Sequence, residues 1–146
     1  MNKLKVKGDI MREILFRGKT DKGEWVEGYV FEMHILGDKT TYISTKPFML
    51  CNDGDFDYEP FAVDTETVGQ YTGLIDKNGT KIFEGDIVSI SGDFKGIYTC
   101  VWEEYHFDYE LENKTMRCCL ACVYSDDIKV IGNIHDNPEL LKGGAE

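Results

Sequence analysis

Two β-strand patterns joined by an Asn-Gly turn, within residues 68–88, constrain the fold more than any other part of this sequence. Residues 68–75 predict one strand, and residues 80–83 predict its return. Asn78-Gly79 is a strong hairpin signal, because both residues of the favoured two-residue turn need a positive φ. Gly85-Asp86 then suits a turn, with a glycine at positive φ and an aspartate that binds neighbouring backbone N–H groups. A chain built around this segment is expected to be mainly β.

The rest of the chain carries further strand patterns and little helical periodicity. Additional strands are predicted at 14–16, 24–33, 40–45, 97–102, 105–111, 117–124 and 128–134. Gly132-Asn133 suggests a bulge, and Asn137-Pro138 predicts the start of one helical turn over 138–141. Residues 51–67 are acidic and contain Pro60, so they are predicted to form a loop or extended linker.

Several short sequence words follow one another in a characteristic order. They are REILFRG from Arg12, WVEGY from Trp25, QYTGLID from Gln70, IFEGDIV from Ile82, VIGNI from Val130 and NPELL from Asn137. In this order, over residues 11–141, they resemble the YopX-like proteins of phages and prophages. The resemblance implies a mainly β protein with an SH3-like barrel, or pseudo-barrel, in its C-terminal part. It implies no reaction, substrate or catalytic residue.

The chain of 146 residues is expected to divide into four regions. Residues 1–10 form a leader, 11–66 a smaller N-terminal β subdomain with the acidic loop, 67–141 the SH3-like barrel, and 142–146 a flexible tail. The leader lies outside the resemblance. Residues 7–10 stand directly before Met11, and a DNA sequence that encodes them can contain a ribosome-binding site. Translation is therefore expected to start at Met11.

The net charge of −11 argues against binding to phosphate backbones, which requires clustered Lys and Arg. Nucleic acid and membrane are therefore not expected partners, and an acidic decoy of a nucleic-acid-binding protein is an alternative use of the charge. No apolar run approaches the length of a membrane helix, and no signal peptide is visible. The expected location is the cytoplasm of a bacterial host.

Cysteines supply the first metal candidates. Cys119 and Cys122 form a Cys-x-x-Cys pair with Cys118 beside it, and His106 is a further candidate ligand. A structural zinc site needs four ligands, usually from two such pairs, and the second pair is missing. Free thiols are therefore favoured, as expected of a cytosolic protein. No cofactor is predicted.

An acidic segment supplies the second metal candidates. Asp53, Asp55 and Asp57 alternate like the start of a calcium loop. Tyr58 and Asp64 stand where such a loop needs its Gly and its final Glu. A solvated acidic loop is therefore favoured.

His106 has acidic neighbours in sequence, namely Glu103, Glu104 and Asp108, which would raise its pKa if they were close in space. No hydrolase, phosphate-loop or dinucleotide motif is present. The favoured interpretation is a non-enzymatic phage or prophage accessory protein that binds another protein or self-assembles. The alternatives are an enzyme whose site is assembled from scattered residues and a nucleic-acid-related role of the barrel.

Overall fold

The structure, a computed structural model, describes residues 13–45 and 60–142. The strands are β1 (Phe16–Lys19), β2 (Trp25–Ile35), β3 (Asp38–Ser44), β4 (Phe61–Ile75), β5 (Lys81–Phe83), β6 (Asp86–Ile90), β7 (Gly96–Glu103), β8 (Asp108–Glu112), β9 (Arg117–Cys119) and β10 (Ile128–Asn133). One short helix, α1 (Glu139–Lys142), follows them in the described part. The prediction of a mainly β protein is confirmed.

The first sheet closes on itself. Its order is β1-β2-β3-β4-β5, and β1 also pairs with β4, so the first four strands form a ring of antiparallel pairs. The long strand β4 makes this closure possible, because its successive parts pair with β3, β1 and β5. Gly28 in β2 lies against the end of β3: a Cβ there would stand 2.0 Å from the Ser44 carbonyl oxygen.

The second sheet has the order β10-β6-β7-β8-β9, and all its pairs are antiparallel. The register of β10 against β6 shifts between Val130 and Gly132, directly before the Gly132-Asn133 pair at which a bulge or bend is predicted. Among the described residues, the strand pairings leave β9 and β10 at the two edges of this sheet. A barrel built from residues 67–141 stays a prediction.

One hydrophobic core lies against the inner face of the second sheet. Strand alternation places one apolar residue in two on that face. The buried members are Ile82, Val88, Ile90, Tyr98, Cys100, Tyr109, Leu111, Leu120 and Ile128. The opposite, outer face of β7, β8 and β9 carries the charged residues described below.

The turn between β4 and β5 differs from its prediction. Gly79 has a φ of +80°, but Asn78 is not among the residues with positive φ, so the expected two-residue turn is wrong. The physical reason is Asp76, which is 3% exposed. Its Oδ1 accepts hydrogen bonds from the N–H groups of Asn78 and Thr80, and its Oδ2 accepts one from Val130 in β10. The aspartate therefore shapes the turn and joins it to the second sheet.

The linker predicted over 51–67 is also wrong in its last part. Residues 61–67 belong to β4, where Val63 and Thr67 are buried and Val63 pairs with Thr41. Residues 51–59 lie outside the described part. β4 runs without a break through position 66, and the division at 66/67 stays a prediction. The helical turn predicted after Pro138 is present. The Asn137 side chain accepts a hydrogen bond from the N–H of Asn133, which precedes the helix in the chain.

Candidate functional site

The structure places the three candidate cysteines near one another but not in a group with His106. Cys118 and Cys119 lie in β9, and Cys122 ends a short 3-10 turn after it. Burial, followed by the nearby Cys122 thiol, raises the pKa of both Cys118 and Cys119, which favours the neutral thiol. Among the described residues, no cysteine belongs to a group of three side chains close enough to share an ion. Asp53, Asp55 and Asp57 lie outside the described part.

His106 instead meets two carboxylates at the end of the β7–β8 hairpin. The ligand atoms of His106, Asp108 and Glu110 all lie within 4.8 Å of one another. His106 Nδ1 stands 3.2 Å from Glu110 Oε1. Glu110 is 7% exposed, whereas the His106 ring is largely exposed. We call these three residues the His106 cluster.

Sequence reasoning named His106 and Asp108 but missed Glu110. The signal was present: Asp108, Glu110 and Glu112 alternate, and alternate residues of a strand share one face. The register places Glu103 opposite Asp108, so it joins the same face. Glu104, named with them, is exposed in the loop.

Arg117 lies across this acidic face. Its Nε is 3.2 Å from Glu110 Oε2, and its terminal nitrogens pair with Glu103 and Glu112. The Glu112 carboxylate, with the other two, raises the pKa of Arg117. The Tyr105 N–H, assisted by the Arg117 charge, lowers the pKa of Glu103. One guanidinium therefore holds three carboxylates in fixed orientations.

A second group of charged and aromatic residues joins the two sheets. The Arg17 guanidinium lies 4.8 Å from the ring centres of both Trp25 and Phe83 and 2.6 Å from Asp86 Oδ1. Trp25 Nε1 donates a hydrogen bond of 2.6 Å to Asp136. We call Arg17, Trp25, Phe83, Asp86 and Asp136 the inter-sheet cluster. Sequence reasoning missed its charged partners, because they are far apart in the chain.

A third feature is the hairpin of β2 and β3, residues 29–44, which we call the arm. Every residue from Glu32 to Lys39 is exposed. Leu36 and Gly37 form its two-residue turn with φ values of +52° and +92°. Leu36 is fully exposed, which is an unusual placement for a leucine at positive φ.

Comparison with known families identifies the chain. A family model described as YopX protein matches residues 15–142. The chain belongs to the YopX family. A comparison with curated proteins finds no match. Among solved structures, the chain is similar to protein EF1440 from Enterococcus faecalis, with 25% sequence identity and a TM-score of 0.48, over 90% of this chain and 99% of that one.

The YopX-like words of the sequence have a structural role in this protein. Arg17, Trp25, Phe83 and Asp86 come from three different words, and all four meet in the inter-sheet cluster. Tyr71 of a fourth word packs on Phe83 with ring centres 5.6 Å apart. The words thus mark the junction of the two sheets, and chemistry or binding specific to this YopX-family chain is better sought on its exposed surfaces.

One further observation bears on the setting of this YopX-family protein. Within residues 13–45 and 60–142, no helix is long and apolar enough to cross a bilayer.

Proposed function

We propose that this YopX-family protein is a non-enzymatic accessory protein of a phage or prophage that acts by self-association through the apolar face of its arm. The observation that carries the proposal is a β-hairpin with one exposed apolar face. The partner we propose is a second copy of the same chain. The proposed setting is the cytoplasm of the bacterial host, in keeping with the free thiols of the four described cysteines.

The arm is amphipathic in the way that a packed sheet requires. Its apolar face carries Tyr29, Phe31, Met33 and Ile35 of β2, with Tyr42 of β3 opposite Phe31. The Phe31 and Tyr42 rings stack at 5.6 Å. Tyr29, Met33 and Ile35 are each 40–51% exposed. Exposed apolar side chains on one face are typical of surfaces that pack against another protein.

The other face of the arm is buried at its base, where Val30 lies opposite Ile43, and polar towards its tip. It carries Glu32, His34 and Lys39, and the Lys39 ammonium pairs with Glu32 at 2.8 Å. From Thr41, which pairs with Val63 of β4, towards its tip the arm is a two-stranded hairpin, and such a hairpin with both faces in water is marginally stable. Burial of the apolar face against another sheet removes that weakness while the polar face stays in water, since two sheets pack face to face about 10 Å apart.

The low charge of the arm's apolar face is compatible with a second copy as the partner. The whole chain carries a net charge of −11, so two copies repel wherever their acidic surfaces meet. The apolar face of the arm carries one formal charge, Asp38, at its tip. Two arms stacked through these faces therefore bury apolar surface while their charged surfaces stay apart.

The experiment is light scattering on the full chain during size-exclusion chromatography. We expect an assembly of at least twice the chain mass of 16.7 kDa. The double substitution Met33→Ser/Ile35→Ser is expected to yield monomer. The matched control, Glu32→Ser/His34→Ser, changes the alternate residues of the same strand and is expected to keep the assembly. A wild-type monomer at all accessible concentrations, or the same loss in both variants, would contradict the proposal.

We further propose that the second sheet and its adjoining strands form the SH3-like barrel. In support, five antiparallel strands are arranged around one core, and a 3-10 turn (Ser125–Asp127) stands directly before the last strand. An acidic-decoy role and nucleic-acid binding by the barrel stay predictions from sequence.

A further inference from the structure

We propose that His106, Asp108 and Glu110 bind one divalent metal ion of the Mn²⁺ or Zn²⁺ class on the outer face of the second sheet. The site is separate from the arm, which belongs to the first sheet. It provides one imidazole nitrogen and two carboxylate oxygens, a donor set suited to divalent transition metals.

The spacing of the donors fits a shared ion. Two ligands at about 2.0–2.2 Å from a tetrahedral ion are about 3.3–3.6 Å apart. His106 Nδ1 and Glu110 Oε1 are 3.2 Å apart, and all three ligand atoms lie within 4.8 Å. The His106 side chain is 69% exposed, so its ring is free to rotate the small amount needed to complete the coordination.

A buried oxygen atom of Asp108 supplies an independent observation. Asp108 Oδ1 and Glu110 Oε2 are inaccessible to solvent and have no hydrogen-bond donor. Arg117 Nε approaches Glu110 Oε2 as an ion pair, but Asp108 Oδ1 has no such cation among the described ion pairs. Buried oxygens of carboxylates are costly without a partner. A cation held beside Asp108 supplies a partner for this carboxylate, whereas Glu110 Oε2 already faces Arg117.

The charges around the cluster also favour a cation. Glu103, Asp108, Glu110 and Glu112 share one face with a single Arg117. Because Arg117 binds the Oε2 side of Glu110, the Oε1 side stays available beside His106. A ligating carboxylate is commonly held by an outer hydrogen-bonding or ionic partner, and Arg117 has that position here.

A simpler interpretation is that His106 and Glu110 form only a surface ion pair. That interpretation explains the 3.2 Å contact, but it does not account for the buried oxygen of Asp108. It also makes a different experimental forecast. An ion pair needs protonated histidine and no Asp108, whereas a metal site needs neutral histidine and all three residues.

Titration of the full chain with Mn²⁺ alone, followed by the electron paramagnetic resonance signal of free Mn²⁺, tests the proposal. Carboxylates suit Mn²⁺, and thiols do so poorly, so the cysteines do not interfere. We expect one Mn²⁺ bound per chain and its displacement by Zn²⁺, which binds a given site more tightly. His106→Gln, Asp108→Asn and Glu110→Gln are each expected to weaken binding by about tenfold or more.

Matched controls separate the cluster from its surroundings. Glu104→Gln removes an adjacent exposed carboxylate, His34→Gln removes a distant imidazole, and Cys119→Ser removes the thiol opposite Glu110 in the register. All three are expected to bind Mn²⁺ like the wild type. Circular dichroism checks that each variant is folded. If the buried Glu110→Gln variant does not fold, the His106→Gln variant, whose substitution lies at an exposed position, decides the outcome. Free Mn²⁺ throughout the titration, or undiminished binding by His106→Gln and Asp108→Asn, overturns the proposal.

Discussion

The guanidinium of Arg17 in β1 lies 2.6 Å from the carboxylate of Asp86 in β6, and this ion pair joins the first sheet to the second. Asp86 is 1% exposed. Its burial raises its pKa, while the Arg17 charge and the Phe83 N–H act in the opposite direction. The stability of the junction therefore depends on Arg17 remaining beside a carboxylate that has almost no access to water.

Substitution of Arg17 by Met is expected to lower the free energy of unfolding by about 3–5 kcal/mol, because it leaves Asp86 buried without a counter-charge. Denaturant unfolding at neutral pH measures the loss. The double variant Arg17→Met/Asp86→Asn is expected to recover part of it, since no buried charge then remains. Lys39→Met, which breaks an exposed pair, is the control, with an expected cost below about 1 kcal/mol. Similar losses from Arg17→Met and Lys39→Met would refute this account.

Asp76 yields a prediction about pH. Burial alone would raise its pKa, but the N–H groups of Val130, Thr80 and Asn78 lower it below its ordinary value. The unfolded chain therefore binds a proton at higher pH than the folded one, and the contribution of Asp76 to stability is present above the ordinary aspartate pKa. It is lost as the pH falls through the folded pKa.

Asp76→Asn is accordingly expected to cost about 2–3 kcal/mol at neutral pH, because one of the two acceptor oxygens becomes a donor that faces an N–H group. The difference between wild type and variant should shrink as the pH falls below about 4. Thermal unfolding over a series of pH values measures both effects. Asp93→Asn, at an exposed position, should change stability by less than about 0.5 kcal/mol. A difference that stays constant down to pH 2 would count against the linkage.

The contrast between Asp76 and β2 shows what the sequence can and cannot reveal. Alternation of apolar and polar residues reports the two faces of a single strand, and it located β2. The partner of a buried charge depends on which strands meet, and no local pattern encodes that. The pairs Arg17–Asp86 and Asp76–Val130 were therefore not predicted, and neither was the closure of β1 onto β4.

The same limit applies to the candidate metal site. His106 was predicted as a candidate for its acidic neighbours in sequence, and the structure groups it with Asp108 and Glu110 but with none of the described cysteines. Glu110 was overlooked because it lies in a strand rather than in the loop. Its nearness to His106 follows from the β7–β8 hairpin, in which the loop residue folds back over the start of β8. Strand alternation limits the choice of candidate carboxylates, and the loop conformation selects among them.

Gly28 provides a test of the ring closure. A Cβ at this position would stand 2.0 Å from the Ser44 carbonyl oxygen, and that atom belongs to the backbone of β3, so it has little freedom to move. Gly28→Ala is expected to cost about 3 kcal/mol or more, at the upper end of overpacking effects. The control is Gly37→Asn: the turn position has open space, and Asn tolerates its positive φ. Equal stability of the two variants in urea would mean that β2 and β3 are not so closely spaced.

Leu36 links stability to the proposed self-association. A two-residue turn with both φ values positive favours Asn-Gly, yet this arm has a fully exposed leucine before Gly37. Strained, exposed apolar residues are often retained for function. Leu36→Asn is expected to stabilise the monomer by about 0.5–1 kcal/mol, because Asn adopts positive φ at lower cost, and to weaken self-association.

Unfolding at concentrations where the protein is monomeric measures the first effect, and light scattering at higher concentration measures the second. Phe107→Asn is the matched control, because Phe107 is also exposed with a φ of +54° but lies in the second sheet's β7–β8 hairpin. It should stabilise the monomer similarly and leave the assembly unchanged. A stabilised Leu36→Asn variant that associates like the wild type would place the arm's tip outside the interface. An equal loss of self-association in Leu36→Asn and Phe107→Asn would show that association does not depend on the arm.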